Sequence, residues 1–299
     1  MTTRVTDDST VLDVIDNPAF AGFGRFLFPT ERGLPNRDMA VSTIGALLPY
    51  HENINAKTTV GVINYFLAQV AGGRKIFYGF YSDEEKKADP SRRNAGLFYF
   101  RGVPGAPFAV ACAGGGFTYV GSIHESFPVA LNLCRKGYNA FALQYRSGGP
   151  DFANKDLAAA ISFIFNNAET LGVGTSGYSI WGASDGARMA ANLGSYGAAF
   201  FGGDELPRPV TVVMQYTGHS DYTVKDPPTF AVVGKDDLIA PPQRVGQRVK
   251  ALKAVGIDAE FHEYPNVGHG FGLGIGTPAE GWFAMALKFW EKQMAKRET

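Results

Sequence analysis

From Lys75 onward, short apolar runs alternate with amphipathic helical stretches. A chain patterned this way folds as a mostly parallel sheet with helices on both faces. Parallel neighbours cannot be joined by a tight turn, so each connection needs a crossover, and the crossover helices cover the sheet. Strands are expected at 76–80, 97–101, 107–112, 138–145, 210–216, 229–233 and 259–264, with one more ending at Ala183. Helices are expected behind a Ser122 or Ser126 cap, where Pro128 favours the later start, and over 154–171 and 243–255. For the last helix, Thr277-Pro278-Ala279-Glu280 reads as an N-cap, a first-turn proline and a capping-box glutamate. Phe283, Ala286, Leu287 and Trp290 form its buried stripe.

Residues 1–73 read as a helical N-terminal extension and 74–299 as one larger domain. In the extension, Val41, Ile44, Leu47 and Leu48 share a helical face, as do Val60, Ile63, Phe66, Leu67 and Val70. It either covers an edge of the main domain or forms a lid or wall over a pocket. The 299 residues are 45% apolar, enough for one large α/β core. Lys+Arg and Asp+Glu each total 28. This zero net charge argues against nucleic-acid or membrane-surface partners, which normally need a basic excess, and favours a small neutral ligand. Cys112 and Cys134 fall in a strand and a helix and read as small buried hydrophobes rather than a disulfide. The N-terminal Met1-Thr2-Thr3-Arg4 stretch has no apolar segment behind its charge, and no run reaches about 18 apolar residues. A soluble, cytoplasmic protein is therefore expected, with no metal or organic cofactor implied and homo-oligomerisation left open.

The stretch Tyr178-Ser179-Ile180-Trp181-Gly182-Ala183-Ser184-Asp185-Gly186-Ala187 is a short apolar run that stops at Gly-x-Ser-x-Gly and resumes as a helix. It reads as a nucleophile elbow: the turn is sharp enough to strain the serine backbone, and the flanking glycines remove side chains that would clash. Ser184 would then stand exposed beside a helix N-terminus, with the Asp185 amide aimed at a developing oxyanion.

A nucleophilic serine needs a base, an acid and a second oxyanion donor. Five histidines are available. His51 and His124 lie near helical segments and read as structural, and His262 falls inside a strand. His219 follows the 210–216 strand and could line the pocket. His269, in Gly268-His269-Gly270-Phe271, sits in a glycine-flanked loop past the final strand and is the preferred base. Asp236 and Asp237 follow the 229–233 strand, and either could orient the imidazole; Asp237 is preferred, with Asp236 solvated. In Ala113-Gly114-Gly115-Gly116-Phe117, the bare amides of Gly115 and Gly116 can approach a substrate closely. Phe117, Tyr119, Tyr145, Tyr216 and Phe271, together with His219, are candidates for a small substrate pocket.

Gly-Gly-Gly-Phe after the third strand, then Gly-x-Ser-x-Gly, Asp and Gly-His-Gly-Phe, resembles the α/β-hydrolase superfamily over roughly residues 75 to 295. Cys112 to Phe117, with Gly137-Tyr138-Asn139-Ala140-Phe141 and Tyr145-Arg146, looks like the bacterial esterase branch related to acetyl-xylan and feruloyl esterases. The resemblance implies an eight-stranded, mostly parallel sheet and serine hydrolysis of small carboxylic esters through an acyl-enzyme. The chain departs from that branch at Ala113, where Pro or His is common, and at Asp185-Gly186-Ala187, where Ala-Gly-Gly is common. Asp185 sets a carboxylate beside the oxyanion site, where its plain role is to stabilise a helix N-terminus. The alternatives are a peptidase of the same fold and a non-catalytic small-molecule-binding protein on this scaffold. The spacing Gly172-Val173-Gly174-Thr175-Ser176-Gly177 matches a dinucleotide fingerprint but follows a helix and precedes a strand, the reverse of the required context.

Overall fold

The computed structural model describes residues 4–297; Met1, Thr2 and Thr3 of the N-terminal stretch lie outside the described residues. Its strands are β1 (Phe77–Tyr78), β2 (Gly96–Phe100), β3 (Pro107–Cys112), β4 (Asn139–Gln144), β5 (Gly174–Ala183), β6 (Thr211–Gln215), β7 (Thr229–Gly234) and β8 (Ala259–Tyr264). They form one sheet in the order β1-β2-β4-β3-β5-β6-β7-β8. Only the β1–β2 and β2–β4 pairs are antiparallel; the other five are parallel. Every residue of β2, β4, β6 and β7 is buried. Because successive side chains point to opposite faces, both faces of the sheet must be covered, as the alternating pattern predicts.

The helices are α1 (Val11–Ile15), α2 (Ala56–Ala71), α3 (Asp83–Ala88), α4 (Ser126–Arg135), α5 (Pro150–Asn166), α6 (Ala168–Leu171), α7 (Asp185–Tyr196), α8 (Pro242–Ala254) and α9 (Trp282–Ala295). None is long and apolar enough to cross a membrane. From β3 the chain winds to β4 on one side, and from β5 it winds to β8 on the other. The switch between these directions lies between β3 and β5, and the crevice beyond the carboxyl ends of such strands is where open α/β sheets bind ligands. In-register pairing of Cys112 with Gly182 and of Ala183 with Gln215 brings those ends level.

The N-terminal region shares the main core. Phe66 of α2 packs its ring against Phe98, Phe100 and Phe127. The Val41–Leu47 face forms as a 3-10 helix with Val41 and Ile44 buried.

Three local expectations are corrected. The 154–171 helix starts earlier, at Pro150, and breaks at Asn167, whose side-chain amide donates to the Phe163 carbonyl (2.8 Å) and ends α5. Neither Ser122 nor Ser126 caps α4: Glu125 holds the N-cap position and Ser126 is the first helical residue. Thr277 to Glu280 makes its polar contacts in a separate turn, where the Gly276 amide donates to Glu280 Oε2 (2.8 Å) and Thr277 Oγ1 donates to the Gly274 carbonyl (2.7 Å). Gly281, at φ 96°, then resets the chain direction and α9 begins at Trp282. That start lets the Trp282 ring bury while its Nε1 donates to the Gly272 carbonyl (3.0 Å). Phe283 of the predicted stripe is only partly buried.

Candidate active site

β5 runs straight into α7 through Ser184, whose backbone adopts φ 51°, ψ −114°. This left-handed conformation costs a non-glycine residue about 1–3 kcal/mol. It is imposed by the close crossing of strand and helix. A Cβ on Gly182 would sit 2.1 Å from the Gly186 carbonyl oxygen, so only glycine permits the crossing.

Ser184 Oγ lies 3.0 Å from His269 Nε2, and His269 Nδ1 lies 2.7 Å from Asp237 Oδ2. The second carboxylate oxygen of Asp237 accepts from the amides of Ile239 (2.9 Å) and Ala240 (2.7 Å). Asp237 and His269 are both buried. With the carboxylate fixed by two amides, Nδ1 carries the proton and Nε2 is left to accept from the serine hydroxyl. Asp236 is exposed and takes no part. Such a chain can draw the proton from Ser184 as its oxygen attacks an electrophile.

The glycine loop lies directly against the serine. The Gly115 and Asp185 amides enter no hydrogen bond among the described residues. Gly114 is different: its amide donates to Glu125 Oε2 (2.5 Å). The Gly116 amide, expected to serve the oxyanion, also favours the charged form of the Asp185 carboxylate, together with the Phe117 amide. Burial still raises the Asp185 carboxyl above its usual value, and the nearby Glu125 charge adds to this.

A cavity of about 380 Å³ opens beside Ser184 and Asp185, lined by Arg188, Thr217, His219, Asp221 and Arg244 among others. Of the six predicted substrate contacts, only His219 borders it. Burial, then the nearby Arg248 charge, depresses the His219 imidazole to about 4, so the ring is neutral near pH 7. Tyr119, Tyr216 and Phe271 are buried behind the site, and Phe117 is nearly so. Tyr145 donates to the Ala113 carbonyl (2.9 Å) and edges a separate cavity of about 300 Å³ with Arg25, Glu31 and Arg146. These aromatic side chains shape the loops because their hydroxyls or rings fill the space beneath them, and they do not wall the cavity at Ser184.

Glu125 is absent from the residues the sequence singles out, and His51, read there as structural, is buried against it. Glu125 is 1% exposed. Its Oε1 accepts from His51 Nε2 (3.0 Å) and from the Tyr216 hydroxyl (2.8 Å). Burial penalises this carboxylate, yet His51 and the Gly114 amide overcome the penalty and hold it down at about 2. Beside it, His124 lies 2.8 Å from the Gly270 carbonyl, and burial, then the charge of His51, depresses it to about 4. The adjacent His124-Glu125 pair just before a helix was the available signal. His262 pairs with Glu260 (3.1 Å) on β8, away from the serine.

These shifts set the acid response of the fold. Between pH 6.5 and about 4 the unfolded chain binds protons at His124 and His219 that the folded chain refuses, so stability falls as pH falls through that window. From 4.5 down to about 2 the unfolded chain protonates the Glu125 carboxyl while the folded form resists, and stability falls further. The thermal midpoint is therefore expected to drop steadily from pH 7 to pH 4, with a shallower slope in His124→Gln. Equal slopes in the two proteins would rule out the contribution of His124.

Residues 102–223 match the BD-FAE family model. No curated protein matches the chain. Among solved structures, the chain is similar to an acetyl ester-xyloside bifunctional hydrolase from Caldicellulosiruptor lactoaceticus, at 21% identity and a TM-score of 0.62 over 72% of this chain and 95% of that one. It is also similar to MGS-M1, an α/β hydrolase enzyme from a Medee basin deep-sea metagenome library, at 23% identity and a TM-score of 0.58 over 67% and 93%. The carboxylesterase Cest-2923 from Lactobacillus plantarum matches at 18% identity and a TM-score of 0.58 over 67% and 92%. At these identities the likeness is one of fold, and it agrees with the strand order and the strand–turn–helix at Ser184. The chain shares the fold of these α/β hydrolases.

Proposed function

We propose that the protein is a serine hydrolase of small carboxylic esters. The observation that supports this most is the continuous hydrogen-bonded chain from Ser184 through His269 to Asp237, set beside the two unbonded amides of Gly115 and Asp185. His269 takes the Ser184 proton as the hydroxyl attacks the ester carbonyl, and the two amides bind the oxyanion of the tetrahedral intermediate. His269 then gives its proton to the leaving alcohol, and water repeats the sequence on the acyl-enzyme. Asp237 holds the imidazole in the accepting tautomer throughout. The printed names of the similar structures, an acetyl ester-xyloside hydrolase and a carboxylesterase, fit this chemistry.

The cavity supports a short, polar substrate. Arg188, Asp221 and Arg244 line it and none of them makes an ion pair there. A long alkyl chain would strip water from these charges without compensation. Hydrolysis of p-nitrophenyl acetate, butyrate and octanoate tests both parts. The expected result is a kcat/KM that falls at least about tenfold from acetate to octanoate, the size of effect that a few mismatched methylenes produce. Preference for octanoate would overturn the substrate reading, and failure to cleave any of the three would overturn the esterase assignment for such esters.

A further inference from the structure

We infer that Glu125, held by His51 and Tyr216, is the positioning residue of the oxyanion loop. The inference rests on the esterase reading above and adds to it the device that shapes one of its amide donors.

Gly114-Gly115-Gly116 has no Cβ atoms by which to pack, and glycine loses more backbone freedom on ordering than any other residue. Such a loop takes a defined shape only if fixed from outside. Gly115 stands at φ 138° and Gly116 at φ 66°. The outer side is tied locally, since the Gly115 carbonyl accepts from the amides of Thr118 (3.1 Å) and Tyr119 (3.3 Å). The inner side is tied by Glu125, through the bond from the Gly114 amide to Oε2. That bond turns the Gly114 N–H inward, while the next amide, that of Gly115, is left without a partner among the described residues. The loop packs closely on the serine: a Cβ on Gly114 would sit 2.6 Å from Ser184 Cβ.

Glu125 is itself fixed from two distant parts of the chain. His51 Nε2 donates to Oε1, and the Tyr119 hydroxyl lies 3.1 Å from His51 Nδ1, so both ring nitrogens are engaged. The Tyr216 hydroxyl makes the second bond to Oε1, and its ring stands edge-on to His269 at a centroid distance of 5.1 Å. The segment carrying His51 also braces the loop of the base. The Glu52 amide donates to the Gly270 carbonyl (3.1 Å), and a Cβ on Gly270 would meet His51 Cα at 2.6 Å. One buried carboxylate thus joins the glycine loop, the end of β6 and the N-terminal region. The role of that region at the site is support from behind, through residues 50–52.

The test compares wild type with Glu125→Gln, His51→Gln and Tyr216→Phe, using p-nitrophenyl acetate turnover, binding of an alkylboronic acid that forms a tetrahedral adduct on the serine, and thermal midpoints. Glu125→Gln keeps shape and volume but cannot accept from all three donors. The expected result is a kcat about 10- to 100-fold lower with KM changed less than about threefold, and boronate affinity weakened in parallel with kcat, since an oxyanion donor acts only on the tetrahedral state. Tyr216→Phe, which removes one bond and leaves the ring in place, is expected to lose less. Glu125→Gln/His51→Gln is expected to fall no further than Glu125→Gln alone, because the two act as one unit. Folded variants that keep wild-type kcat and boronate affinity would overturn the inference. Should Glu125→Gln fail to fold, Tyr216→Phe carries the same test. An inactive wild type would instead count against the esterase reading, and boronate binding would then still report whether the variants alter the loop.

Discussion

Ser184→Ala is expected to lower kcat for p-nitrophenyl acetate by about 10⁴- to 10⁶-fold, the range seen when a hydrolase loses its nucleophile. In the proposed mechanism the replaced oxygen is the group that forms the acyl bond, and the methyl left behind neither accepts nor donates. KM is expected to change little, because the cavity and both oxyanion amides remain. The fold should persist as well, since the strained φ of 51° comes from the crossing of β5 and α7 and not from the hydroxyl. His269→Ala is expected to lose activity on a similar scale, and the double variant to lose no more than either single one, as members of one catalytic unit are not additive. Steady-state kinetics with mass spectrometry of the intact protein checks this. An acetylated wild type and an unmodified Ser184→Ala variant are the expected pair of masses. Undiminished turnover in Ser184→Ala would place the chemistry on another residue.

Gly186→Ala is expected to damage both stability and activity. A Cβ there would sit 2.1 Å from the Cys112 carbonyl oxygen, 2.6 Å from its carbon and 2.8 Å from the Ala113 carbonyl oxygen. All three are backbone atoms at the end of β3, so no side-chain rotation relieves the clash. The helix must move away from the strand, at a cost of roughly 3 kcal/mol, the upper part of the range for overpacked cores. A drop in thermal midpoint of about 6 °C is expected for a chain of this size. The same movement separates the Asp185 amide on α7 from the Gly115 amide beyond β3, and a displacement near 1 Å costs about 100-fold in rate. Gly61→Ala in α2 is the matched control. Nothing lies within 4 Å of its added carbon, so helix propensity should make it neutral or stabilising by up to about 1 kcal/mol. Similar midpoints for the two variants would show that the β3–α7 contact is looser than the distances imply.

Much of this architecture was legible in local patterns. Burial on both faces shows in the unbroken apolar runs at 108–112 and 230–233, and the β3 and β8 boundaries match their expected ranges. The order of serine, aspartate and histidine was also readable, because each sits in a loop just past a strand and short loops keep their place in the topology. The start of α9 was not. Thr277 and Glu280 do satisfy backbone groups, but whether a capped turn continues as a helix depends on the burial of Trp282 against the sheet. The aromatic residues near the motifs were misplaced for a related reason: sequence proximity to a catalytic loop does not distinguish a wall of the cavity from the packing beneath it.

What the sequence by itself determined was the parallel sheet, the sharp turn at Ser184 and the identity of the residues able to meet there, since all three depend on side-chain periodicity and glycine positions within a few residues of each other. Only the tertiary structure decided which amides near the serine are left without a partner and which charges are buried. Glu125 stands in a stretch that locally reads as the polar start of a helix. Its burial follows from His51 and Tyr216, contributed by segments 74 residues before and 91 residues after it. A carboxylate is stable in such a place only when donors from several segments converge on it, and that convergence is a property of the folded chain.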